Sequence, residues 1–156
     1  MPFHKGRPMK ESELQIFIDS LTRYFATNIG GDLALGHAFH TTSQDTPASD
    51  YTGIIGVSGD RQGCIYLTAP KAMLGQVLLA MGEPEIDESL FNDVIGEVTN
   101  TVSGNARKIL GAGFMISVPI VVTGRPEHIH FPRNHDIGVV PFTWNGFNAS
   151  LVVCLQ

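Results

Sequence analysis

The stretch Asp93-Val-Ile-Gly-Glu97-Val-Thr-Asn100-Thr-Val-Ser-Gly104 lies inside the longest periodic segment of the chain, residues 87–110. At ~100° per residue, Phe91, Val94, Ile95, Val98, Val102 and Ile109 gather on one side of a helix. That side is read as the core face. Asp93, Glu97, Asn100 and Gly104 fall within about 60° of one another on the opposite side. Gly111-Ala112-Gly113 follows the last apolar pair and suits a glycine cap. A helix this long with one apolar face needs a broad apolar surface to lie on.

The flanking segments supply that surface. Residues 1–10 carry two prolines and a glycine and read as an N-terminal arm, followed by one domain over 11–156. Leu14, Phe17, Ile18, Leu21, Tyr24 and Phe25 predict a helix from Glu11 to about Asn28, with Ser12 as its cap and Gly30-Gly31 as its stop. Strands are expected over 33–41, 51–57, 63–69, 114–123, 137–142 and 147–155, with a further segment around 128–131. Ser58-Gly59-Asp60 between two of them suggests a hairpin, and Asn145-Gly146 suggests a two-residue one. Lys71 to Met81 keeps helical spacing. Strands come in runs rather than alternating singly with helices. The expected class is therefore α+β: a mostly antiparallel β-sheet with long helices packed on it.

Composition bounds the function. The chain has 156 residues, 43% of them hydrophobic and 16% charged, which suits one packed domain. Its formal net charge is −5 and no basic stripe is present, which argues against nucleic-acid binding. No apolar run approaches the ~18 residues that suggest a membrane span, and the first twenty residues carry no signal-like run. The expected setting is the cytoplasm, without membrane association. Cys64 and Cys154 each sit in an apolar, strand-like run and read as small buried hydrophobes.

The polar stripe is the chemically informative feature. Acidic and amide residues suit any solvated helix face, so the stripe alone is compatible with simple exposure. Gly104 is less easily placed, because a mid-helix glycine costs roughly 1 kcal/mol relative to alanine. Either another chain approaches there or the glycine is tolerated. Gly96, Thr99, Thr101 and Ser103 also depart from helix preference. An Asn amide can hold a water in a fixed orientation, a role side-chain amides take in phosphoryl-transfer hydrolysis. A carboxylate one turn away can clamp a cation on a partner. Such a pair suits a protein that completes an active site located on another protein.

Asp93-x-x-x-Glu97-x-x-Asn100 followed by Gly104 resembles the signature of the CheC/CheX/FliY phosphatases of bacterial chemotaxis. The context GEVTNTVSGNARKIL followed by ISVP is most similar to the CheX branch, over about residues 87–122. The resemblance implies hydrolysis of the aspartyl phosphate of a CheY-like response regulator. It implies that Asn100 orients the attacking water and that Glu97 contacts the lysine beside the regulator's phosphoryl group. It also implies a partner-binding set of Asp93, Thr101, Gly104 and Arg107. The chain would need no cofactor of its own, the Mg²⁺ belonging to the regulator, and would form a homodimer through edge strands. Pro119 is similar to the family's proline after the helix. Its spacing from Asn100 is shorter than in the CheC branch, a departure that touches the helix-to-strand connection and not the helix face. CheC-like chains often carry a second motif; residues 11–28 have no Glu-x-x-Asn, which fits CheX. A non-catalytic adaptor docking through the same helix is the alternative. An enzyme for a small acyl phosphate is a weaker one, because no basic pocket is apparent.

Other constellations are thin. His37 and His40, three apart on an expected strand, would point to opposite faces. His128 and His130 share a face and His135 follows in a loop, but no fourth ligand has zinc-like spacing. Ser58-Gly59-Asp60-Arg61 reads as a turn, and Ser103 and Ser117 lack obvious triad partners.

Overall fold

The computed structural model describes residues 8–41, 46–124 and 136–156. Helix α1 spans Glu11–Tyr24 and runs on as one π-helical turn, Phe25–Ile29. Two short strands, β1 (Leu33–Leu35) and β2 (Phe39–Thr41), lead to the hairpin of β3 (Tyr51–Gly59) and β4 (Gly63–Ala69). Helices α2 (Lys71–Ala80) and α3 (Glu88–Leu110) follow, then β5 (Phe114–Ile116), β6 (Ile120–Thr123), β7 (Asp136–Trp144) and β8 (Phe147–Leu155). The strands form one sheet ordered β1-β7-β8-β4-β3-β5, with β2 also on β7 and β6 also on β3. Every pairing among the described residues is antiparallel. The molecule is thus α+β, as its pattern of strand runs predicts.

Alternation along the strands sends residues to two faces. Ile65, Leu67, Leu151, Val153, Val140 and Phe142 join the core shared with all three helices. Tyr66, Val152, Cys154, Ile137 and Val139 form a second buried cluster. Burial on both faces explains why β4, β7 and β8 read as continuous apolar runs. The turn between β7 and β8 has Asn145 at φ 48° and Gly146 at φ 83°, the left-handed pair a two-residue hairpin requires.

Two expected strands are each divided. Residues 33–41 split into β1 and β2 because their partner β7 carries Pro141, which has no N–H for the ladder. Gly36 bridges the gap by donating its own N–H to the Pro141 carbonyl at 2.8 Å. Residues 114–123 split into β5 and β6 around a bulge. Val57 pairs with Ile116 and Ile54 with Ile120, so three residues, 117–119, oppose only Ile55 and Gly56. The Ser117 hydroxyl accepts the Gly56 N–H at 2.9 Å and pins the bulge.

Two details at α1 also differ from expectation. The cap of the helix is Lys10 rather than Ser12, because the Glu13 carboxylate reaches back to accept the Lys10 N–H at 3.0 Å. Of the N-terminal arm, residues 1–7 lie outside the described residues, while Met9 is buried and donates its N–H to Asp136. The segment expected around 128–131 lies outside them too. No described helix is long and apolar enough to cross a membrane.

Candidate active face of the long helix

Helix α3 is capped at both ends. Asp87 accepts the Leu90 N–H at 3.2 Å, and the Ser89 hydroxyl also donates to its carboxylate. These bonds, Ser89 first, hold the Asp87 carboxyl below its ordinary range. At the other end Gly111, at φ 106°, donates its N–H to the Arg107 carbonyl.

The helix sits close on the sheet. Phe91, Val94, Ile95, Val98, Val102 and Ala106 are buried. Thr99 and Ser103 are buried too, which corrects the reading of these poor helix formers as a functional mark. Thr99 fits the tight space over Gly53 of β3, and its hydroxyl is satisfied by the Ile95 carbonyl at 2.6 Å. Gly96 is likewise a packing residue: a Cβ there would lie 3.4 Å from Val121 and 3.8 Å from Pro119. Ile109, expected in the core, is 57% exposed. Ala106 is the last fully buried residue of α3; in the final turn Leu110 still packs partly against the core, while Ile109 faces solvent.

The polar stripe faces outward. Asp93, Glu97, Asn100 and Arg107 are exposed, while Thr101 and Gly104 are half-buried. Two open grooves run along it. The first lies between α3 and the bulge and is lined by Asn92, Asp93, Gly96, Glu97, Asn100, Pro119 and Val121. The second lies between α3 and β5, lined among others by Asn100, Gly104, Arg107, Lys108 and Met115. Asn100 belongs to both and stands at their junction.

Several lining residues were not singled out by pattern. Asn92, Lys108 and Met115 become neighbours of the stripe only through packing. Tyr24 of α1, a core residue by its spacing, lies behind the stripe. Burial raises its phenol pKa, and the charge of Glu97 raises it further, so the two lie within electrostatic reach.

The other candidate residues stay apart from this face. His40 lies on β2 and pairs with Asp136 at 3.2 Å, while His37 lies between β1 and β2 rather than on a strand. No group of three or more His, Cys, Asp or Glu residues among the described residues could hold a metal ion. His128, His130 and His135 lie outside those residues. Cys64 and Cys154 are free thiols directly opposite each other on β4 and β8. Arg61, read as part of a plain turn, is buried and pairs with Glu13 at 3.6 Å.

Comparison with known proteins converges on one family. The family model of the chemotaxis phosphatase CheX matches residues 51–143. Among solved structures, the chain is similar to a CheC-like superfamily protein from Shewanella sp. PV-4, at 25% identity and a TM-score of 0.83, covering 95% of this chain and 99% of that one. It is also similar to the chemotaxis protein CheX from Vibrio vulnificus, at 25% identity and a TM-score of 0.79, covering 93% and 99% of the two chains. A CheX-CheY-BeF3-Mg²⁺ complex from Borrelia burgdorferi shares the fold at 18% identity and a TM-score of 0.77, covering 92% and 97%. No curated protein matches.

Proposed function

Because this chain belongs to the chemotaxis phosphatase CheX family, we propose that it hydrolyses the aspartyl phosphate of a CheY-like response regulator, with Glu97 and Asn100 as the acting pair. The observation that carries this reading is the joint exposure of Glu97 and Asn100, one turn apart, on a helix whose opposite face is firmly buried. The support for a CheY-like partner is the related fold captured with CheY, beryllofluoride and Mg²⁺.

In this mechanism the regulator supplies the phosphoryl group and the Mg²⁺. The Asn100 amide has one acceptor and two donor sites and orients a water in line with the phosphorus. The water oxygen bonds to phosphorus, the bond to the aspartyl oxygen breaks, and the regulator's carboxylate leaves as orthophosphate forms. Glu97 pairs with the lysine beside the phosphoryl group and fixes the approach; Asp93 and Thr101 flank the contact. The chain contributes position rather than a nucleophile, a contribution that effective-molarity arguments make large. The setting is the cytoplasm, and a homodimer through edge strands belongs to the same reading. It is supported by Leu35 on β1 and Phe39 on β2, both large apolar side chains left exposed.

The test is the phosphate lifetime of a CheY-like regulator with and without this chain. Wild type shortens it, and Asn100→Ala removes about a hundredfold of the acceleration while leaving docking intact. Equal acceleration by Asn100→Ala would remove Asn100 from the mechanism. Binding with no change in lifetime would make the chain an adaptor instead.

A further inference from the structure

We infer that the groove between α3 and β5 seats an acidic segment of the regulator backbone-close against Gly104, so that the regulator lies along α3 in one direction only. This rests on the phosphatase reading for the identity of the partner, but on separate observations for the seat itself.

The first observation is the order of charge along one stripe. Asp93 and Glu97 line the groove on one side of Asn100, and Arg107 and Lys108 line the groove on the other. Arg107 comes two turns after Asn100, only ~20° away around the helix axis, and about 15 Å along the axis from Glu97. A partner reaching both grooves meets acid at one end and base at the other. The chain carries a formal net charge of −5, so this basic end is a local exception to its overall charge. Complementarity selects a partner with a cation facing Glu97 and anions facing Arg107 and Lys108, and reversal of the partner sets like charges together.

The second observation is Gly104. Gly53 has an internal reason to lack a side chain, because a Cβ there would press on α3, whereas a Cβ on Gly96 would make ordinary contact with Val121 at 3.4 Å. A Cβ on Gly104 would meet nothing within 4 Å. Its backbone is not in the left-handed region either. Alanine would fit and favour the helix, so neither packing nor conformation within the chain calls for glycine. Close approach by another backbone does, and the position lines the basic groove.

The groove is also ready-made. Arg107 donates its Nε–H to the Phe114 carbonyl at 2.9 Å, which holds the guanidinium over β5 before any partner arrives. Met115, 53% exposed, supplies an apolar edge beside it.

The test measures binding of a CheY-like regulator activated with beryllofluoride and Mg²⁺, by titration calorimetry at two salt concentrations. Lys108→Glu is expected to raise Kd about tenfold and to reduce its salt dependence. Gly104→Ala is expected to raise Kd at least about tenfold while Tm stays level or rises, a combination that damage to the fold cannot produce. Wild-type affinity in both variants overturns the inference. So does a change confined to self-association mass by light scattering, which would make a second copy of this chain the occupant. Wild-type binding without faster phosphate loss removes the phosphatase reading and leaves the seat standing.

Discussion

Thr99 of α3 rests on Gly53 of β3: a Cβ added to Gly53 would come 2.5 Å from the Thr99 hydroxyl and 2.9 Å from the Ile95 carbonyl. The glycine lets the helix lie close to the sheet, and that closeness sets which way the opposite stripe points. The Ile95 carbonyl is helix backbone and has little freedom to retreat. Gly53→Ala is therefore expected to destabilise the fold by ~1–3 kcal/mol, measured by chemical denaturation. It should also slow phosphate loss in surviving folded protein, because lifting the helix displaces Asn100. A variant as stable as wild type would show that the contact is loose.

Glu97 and Asn100 should separate kinetically. Asn100 acts on the water, so its removal lowers the maximal rate. Glu97 acts on docking, so Glu97→Gln is expected to raise the half-saturating regulator concentration about tenfold and to change the maximal rate much less. Both side chains are exposed. Neither substitution should move stability by more than ~0.5 kcal/mol. A pure rate effect at Glu97 would reassign it from docking to chemistry.

Arg61 and Glu13 tie the β3–β4 turn to the start of α1 through a buried ion pair. Arg61→Ala would leave the Glu13 carboxylate buried without that cation. The expected loss is ~3–5 kcal/mol, read from the denaturation midpoint at constant slope. Replacing both residues with apolar ones should recover much of it. A loss as large in the double variant would show that the pair is not what holds the turn.

The two thiols should differ in reactivity although they face each other. The hydrogen bond between them lowers the Cys64 pKa, whereas that bond and burial push Cys154 up. Thiolate is the reactive form, so iodoacetamide at mildly alkaline pH should label Cys64 first. Cys154 should become labelled only after denaturation, as peptide mapping would reveal. Equal labelling in the native protein would contradict the assigned environments.

The elements and the outward stripe follow from local pattern alone. Periods of 2 and 3.6 residues report which side of each element is apolar, so α3, the hairpins and the joint exposure of Glu97 and Asn100 were legible from residues 87–110 and their flanks. The assignment of a phosphatase role drew on family resemblance, not on periodicity. Tertiary structure decided what lies across from each element. Pro141 divides β1 from β2, and the bulge at 117–119 brings Pro119 to the groove; both depend on the partner strand. Packing also leaves Ile109 exposed while Leu110 beside it still meets the core, and turns Thr99 and Ser103 inward. Gly96 and Gly104 look alike in sequence, yet one packs on the bulge and the other opens onto a groove. Local pattern encodes the direction of a side chain along its own element, but not the surface that meets it.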